Sequence, residues 1–267
     1  MKVGLLGAGK MAEAIASSLI HTGMCEPWDI IACDTSEERR QLMAKQYQTI
    51  ATKCPIETIR DSEVLIVAVK PQDLNALLTT LKPHLTKKHL LISIVAGKTL
   101  ASLKKYSGKT TRMIRVMPNL ALMVQEGMSV YCASKPAMDK DKQCVAQIFG
   151  NAGAVLELPE KHFDAVTALS GSGPAFIAYV LNAMIEGAIA LKLPKAAARL
   201  LAEQTLIGSG IYLQNSGRDI HEFIRAVASP KGTTVAGLAV LEKSSLQATI
   251  IKTLKAAADR SAELSKA

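Results

Sequence analysis

The sequence predicts an α/β fold: an N-terminal, doubly wound, mostly parallel sheet followed by an all-helical C-terminal region. Three observations predict it. Short β-branched runs alternate with helical stretches through the first half, convincing strands stop near Pro159, and the remainder consists of long Ala- and Leu-rich stretches. Strand–helix alternation specifies a parallel sheet with right-handed crossovers. At 267 residues the chain can hold two ordinary domains. The change of character places them at 1–158 and 159–267.

Taken in order, the apolar runs are Val3–Leu6, Ile30–Cys33, 64–69, 90–95, 113–117 and 129–133. Polar-faced helical stretches at 12–21 and 36–46 connect the first of them. The nearly unbroken apolar run at 64–69 fits a central strand buried on both faces. The helical half reads as stretches at 174–191, 194–215, 217–227 and 245–265. Pro174 and Pro194 stand where a first helical turn tolerates proline, and Gly217 reads as a C-terminal stop. Small residues at 178, 183, 187, 188 and 190 permit close helix contact. A helical region apolar on more than one face packs more often against a second subunit than alone.

Composition narrows the function classes. Apolar residues at 49% and charged ones at 21% describe a folded chain, and only 4% aromatics implies an aliphatic core. A net charge of +9 favours phosphates and small carboxylates. No zinc-finger spacing, aromatic-rich RNA-binding sequence or sustained basic run supports a nucleic-acid partner. The five histidines fall in no metal-ligand spacing, so no metal is expected. Residues 175–191 are apolar but too short for a bilayer and interrupted by Asn182 and Glu186, which predicts a buried helix and no membrane partner. The five cysteines, odd in number with no close pair, read as free thiols in a reducing cytoplasm.

Chemistry enters at Leu6-Gly7-Ala8-Gly9-Lys10-Met11-Ala12. The pattern follows a strand and opens a helix, the context a Rossmann-type dinucleotide turn requires. Gly7 permits the tight turn, Gly9 admits the pyrophosphate, and Ala12 lets helix and strand pack closely. The helix N-terminus offers unpaired N–H groups and partial positive charge to the diphosphate. Asp34, ending the second strand, suits a ribose 2′-OH and NAD(H). Nearby Ser36, Arg39 and Arg40 suit the 2′-phosphate of NADP(H), so both cofactors stay open. Ala68-Val69-Lys70-Pro71, Ala96-Gly97 and Met117-Pro118-Asn119 end three further strands at carboxyl edges, where such sheets put ligands. Ser170-Gly171-Ser172-Gly173-Pro174-Ala175 and Ser229-Pro230-Lys231-Gly232-Thr233-Thr234 read as helix caps or as anion nests suited to a carboxylate.

Those motifs, in this order and over essentially the whole chain, resemble the pyrroline-5-carboxylate reductase family. With Val95-Ala96-Gly97, Arg115-Val116-Met117-Pro118-Asn119 and the 229–238 run with Leu241-Glu242, they make six motifs, and the last of them looks like the family's signature. The resemblance implies hydride transfer from NAD(P)H to the C=N bond of 1-pyrroline-5-carboxylate, giving L-proline. It implies a homodimer through the helical domain, assembling further into a ring such as a decamer, and a substrate site between the domains. By the same resemblance, Gly232 and Thr233 would hold the substrate carboxylate. Ser229 belongs to that loop, Thr234 would stand near the ring nitrogen as the catalytic candidate, and Glu160 would approach the substrate. The chain departs from the family at Asp34, Pro55, Leu120-Ala121, Arg225-Ala226 and Lys231, where relatives usually carry glycine. A reductase of another cyclic imine acid and a catalytically lapsed dinucleotide binder are the alternatives. The presence of Gly232 and Thr234 speaks against the second.

Overall fold

The computed structural model describes residues 1–266, in two compact units: 1–172 with 256–266, and Gly173–Lys255. The first unit runs β1 (Val3–Leu6), α1 (Lys10–His21), β2 (Ile30–Cys33), α2 (Glu37–Tyr47), β3 (Ile50–Thr52), α3 (Pro55–Arg60) and β4 (Val64–Val67). It continues through α4 (Leu74–Leu81), β5 (Leu90–Ser93), α5 (Leu100–Ser107), β6 (Arg112–Met117), β7 (Gly127–Ala133), α6 (Asp139–Gly150), β8 (Gly153–Glu157) and α7 (Phe163–Val166). The eight strands lie in the order β3-β2-β1-β4-β5-β6-β7-β8, and only the β6–β7 pair is antiparallel.

Strand side chains point alternately to the two faces, and each face has its own core. Val3, Leu5, Ile66, Ile92 and Ile114 pack with Ile15, Leu19, Met43 and Phe149 on one side. Leu6, Leu65, Val67, Leu91 and Met113 pack with Leu74, Leu78, Leu81 and Leu103 on the other. Strand order reverses between β1 and β4, so a crevice opens beyond their carboxyl ends, where doubly wound sheets bind ligands.

Two strands go unpredicted by the sequence. β3 has only three residues at the sheet edge, and β8 is half-exposed, so neither carries a buried apolar run. The packing boundary also falls later than 158. Residues 160–172 stay with the sheet because Phe163 is fully buried against Val130 and Cys132. Asn119 Nδ2 also donates to Ser170 Oγ at 3.4 Å. A π-helical turn, Thr167–Gly171, lies within this segment.

The second unit holds α8 (Gly173–Ala190), α9 (Lys195–Ser216), α10 (Ile220–Val227) and α11 (Thr233–Lys243), and α12 (Leu246–Lys266) begins in it. Gly217 caps α9 in the left-handed conformation, as its position predicts. α11 is not predicted by the sequence, because its first residues belong to the hydroxyl-rich loop. The expectation of a buried helix at 175–191 does not hold within one chain: Ile177, Tyr179, Met184 and Leu191 are more than half exposed. The helical run Glu160–Ala190 is, by length and composition, apolar enough to cross a membrane. Its upstream turns lengthen the stretch that the sequence read as too short.

Within the first unit, the end of α12 returns to the sheet at Gly97. There φ is +70° and an added Cβ would lie 2.9 Å from Leu264 Cβ. Gly97→Ala is expected to lower stability by about 1–3 kcal/mol through backbone strain and the displaced helix end. Denaturant unfolding measures it, and an unchanged midpoint would contradict this packing.

Candidate functional site

Gly7 follows β1 with φ +98°, a conformation glycine adopts freely. A Cβ there would sit 2.7 Å from the Ala68 carbonyl, so the turn can lie against the end of β4 only as glycine. Gly9 is different. It is the extended N-cap of α1, and no atom lies within 4 Å of where its Cβ would stand. The amide-bearing first turn of α1 therefore faces open space, as anion capture needs.

That space is a cavity of about 610 Å³ at the switch point. Leu6, Gly7, Gly9, Asp34, Ala68, Val69 and Lys70 line it, seven of the residues expected to hold cofactor. Thr35, Lys53, Asp73 and Leu77, which no motif in the sequence marks, line it too. Lys53 enters because β3 brings it beside β2, and β3 itself was illegible.

Ala8 is buried, and both its polar atoms are engaged. Its N–H donates to Asp34 Oδ2 at 2.7 Å, and its carbonyl accepts from Arg39 Nε at 2.6 Å. Asp34 Oδ1 accepts from the Ser36 N–H at 2.8 Å. Arg39 Nη2 pairs with Glu13 Oε2 at 2.8 Å, while Tyr47 donates to Glu13 Oε1 and Lys10 Nζ stands 3.4 Å away. Burial pushes the Glu13 carboxyl up, but the hydrogen bonds from Arg39 and Tyr47 and the neighbouring Lys10 outweigh it, so the net shift is downward. Arg40 Nη1 donates to the Asp34 and Thr35 carbonyls. Asp34, Arg39 and Arg40, opposed in the sequence as readers of the cofactor, are all hydrogen-bonded to backbone.

The other expected cofactor residues lie outside this cavity. Lys10 is exposed at the first turn of α1, Met11 is half-buried against the core, and Pro71 is exposed. Ala96 is exposed, and Gly97 meets Leu264. Asn119 Oδ1 accepts from the Met128 N–H at 3.1 Å, tying the end of β6 to β7.

The expected substrate residues divide between the units. Glu160 belongs to the first, where its Oε1 accepts from the Leu100 N–H at 2.7 Å and from Arg115 Nη1 at 3.0 Å. Arg115 is buried on β6 with its guanidinium 4.5 Å from the Phe163 ring centre. Glu160 thus caps α5 and neutralises a buried cation.

Ser229, Gly232, Thr233 and Thr234 belong to the second unit. The Gly232 N–H donates to the Ser229 carbonyl at 3.0 Å, and Gly232 is the N-cap of α11. A Cβ on Gly232 would lie 2.3 Å from Ser229 Oγ and 3.0 Å from the Ser229 carbonyl, so a larger residue there would displace the serine side chain. Thr233 and Thr234 open the helix, and their N–H groups have no intrahelical acceptor by position. Lys231 sits at φ +60°, which accounts physically for the glycine usual there.

Known proteins match both units. Residues 2–97 fit the family model described as NADP oxidoreductase, coenzyme F420-dependent, and residues 160–264 fit pyrroline-5-carboxylate reductase dimerisation. The chain is 40% identical to a pyrroline-5-carboxylate reductase of Arabidopsis thaliana, across 99% of this chain and 96% of the relative. The chain belongs to the pyrroline-5-carboxylate reductase family. A solved reductase of that family from Coxiella burnetii superposes with a TM-score of 0.94 at 32% identity, covering 100% of this chain and 99% of that one. The Plasmodium falciparum pyrroline carboxylate reductase, solved with NADP bound, superposes at 0.89 with 29% identity, covering 99% and 98%.

Glu13 supplies a pH test of the turn. A carboxyl depressed by folding stabilises the protein above the ordinary value of 4.5, and that contribution is lost as the pH falls through the folded value. Glu13→Gln is expected to be less stable than wild type at pH 7 and to lose less stability on acidification. Unfolding midpoints from pH 7 down to the acid limb check it, and parallel profiles would contradict the assignment.

Proposed function

We propose that the protein is an NAD(P)H-dependent reductase that converts 1-pyrroline-5-carboxylate to L-proline. The observation that carries the proposal is the coexistence of an open dinucleotide turn at Gly9 with an intact Gly232-Thr233-Thr234 helix start in one chain of the family. The residues fit the cofactor: the amides of the first turn of α1 would hold the pyrophosphate, and the 610 Å³ cavity beside Asp34 and Lys70 would take the adenosine half. When bound, the reduced nicotinamide supplies hydride.

The chain itself has little bond chemistry to perform. A protonated cyclic imine is already electrophilic at the ring carbon, so alignment of donor and acceptor supplies much of the rate. The Thr233 and Thr234 amides suit the substrate carboxylate, since a helix N-terminus carries partial positive charge. The Thr234 hydroxyl, with no hydrogen-bond partner among the described residues, is free to hold the ring nitrogen. Glu160, committed to Arg115 and Leu100, would act by holding its segment in place.

We further infer that a second copy of this chain covers the apolar faces of α8 and α9. The dimerisation match at 160–264 supports this reading, as does Asn182 donating to Glu186 at 2.8 Å midway along the most apolar helix. A bilayer is the poorer cover for such a polar pair. Assembly of dimers into a ring such as a decamer, and a cytoplasmic location, belong to the same proposal. All five cysteines being free supports the latter.

Oxidation of NADH and NADPH with 1-pyrroline-5-carboxylate tests the reaction. Turnover with at least one is expected, and none with either would sink it. Thr234→Ala is expected to lower kcat/KM for the imine by about 10- to 100-fold, the size of one lost transition-state hydrogen bond. Cofactor affinity should be retained, and a wild-type rate would remove Thr234 from the site.

A further inference from the structure

The cofactor cavity holds a division of labour that its residue types alone do not reveal. Three cations lie on the β2 side, near the position a ribose 2′ substituent takes in a Rossmann sheet. Arg39 lines the cavity, but it gives Nε to the Ala8 carbonyl and Nη2 to Glu13, a buried carboxylate that compensates its charge. Arg40 gives Nη1 to two backbone carbonyls and does not line the cavity. Lys53 lines the cavity, is exposed, and forms no ion pair among the described residues. Its place is fixed by the sheet. The Asp34 N–H donates to the carbonyl of Thr52 at 3.2 Å, so the residue after Thr52 stands beside Asp34.

From this geometry we infer that Arg39 is a positioning residue of the dinucleotide turn, and that Lys53 is the cation that reads the 2′ substituent of the cofactor. The inference rests on the reductase reading only in taking a nicotinamide dinucleotide as ligand. Arg39 fixes the Ala8 carbonyl from one side while Asp34 fixes the Ala8 N–H from the other. The turn that receives the pyrophosphate is therefore set before any ligand binds, equally for both dinucleotides. Lys53 carries an uncompensated charge, which a 2′-phosphate would meet and a 2′-OH would not need.

Two variants separate these roles: Lys53→Ala, and Arg39→Lys, which keeps the charge but not the fork that spans Ala8 and Glu13. Direct binding of NADPH, NADH, adenosine 2′,5′-bisphosphate and AMP to the full chain is measured by calorimetry, alongside turnover. For Lys53→Ala, NADPH and adenosine 2′,5′-bisphosphate are expected to weaken about tenfold, the size of one charge-assisted contact, and NADH and AMP less than threefold. For Arg39→Lys, both dinucleotides should weaken by similar factors, leaving the NADPH:NADH ratio within about twofold of wild type. Thermal unfolding of each variant confirms that it is folded, and Arg39→Gln repeats the second arm should Arg39→Lys fail to fold.

An NADPH:NADH ratio that changes more than about twofold in the Arg39 variants, or an unchanged ratio in Lys53→Ala, overturns the assignment. Wild-type protein that binds neither dinucleotide overturns the cavity and the inference together. Dinucleotide binding in the expected ratios without reduction of the imine supports this division of labour and sinks the reaction reading alone.

Discussion

Every feature of the cofactor end depends on how Ala8 is held. Its N–H and carbonyl point to opposite sides of the turn, one to Asp34 and the other to Arg39. A buried peptide unit with either group unpaired would lose the desolvation free energy of that group, so both partners are structural necessities. Glu13 then holds Arg39 from within α1, which ties the second helix of the fold to the first. With Ala8 fixed, Gly9 presents the start of α1 to open space. A helix N-terminus presented in this way needs no reorganisation on binding an anion, which is how a fixed scaffold contributes to affinity.

The same economy governs the ends of the other strands. Gly7 is glycine because the β4 carbonyl at Ala68 leaves no room, and Gly97 because α12 comes down on it. Asn119 ties β6 to β7, and Glu160 neutralises Arg115 while capping α5. The carboxyl edge of the sheet is thus a set of mutually braced loops. A reaction that relies on alignment more than on acid–base groups suits such an edge, because its rate depends on where atoms are held.

Much of this was legible in the residues. The six apolar runs all became strands, and the glycine turn lies at the end of β1 as its pattern requires. What escaped had identifiable causes. β3 is a three-residue edge strand and β8 is half-exposed, so neither has the buried run by which a strand is recognised. Missing β3 hid Lys53, because the strand carries that residue beside Asp34. The later packing boundary escaped because Phe163 reads as an ordinary apolar residue until its partners Val130 and Cys132 are known. Arg39 is visible in the sequence, but its role is not. Its type and place both suit a phosphate, and only a contact 31 residues away in sequence shows that the guanidinium is already in use. Conversely, the strain at Lys231 was visible in outline, as a departure from glycine, before its φ of +60° gave the cause.

A crystal structure of this chain with NADPH bound tests the central claim most directly. The account predicts that Arg39 stays on the Ala8 carbonyl and Glu13, that Asp34 keeps the Ala8 N–H, and that Lys53 is the cation nearest the 2′-phosphate. An Arg39 guanidinium that has left Ala8 to grip the 2′-phosphate would contradict it.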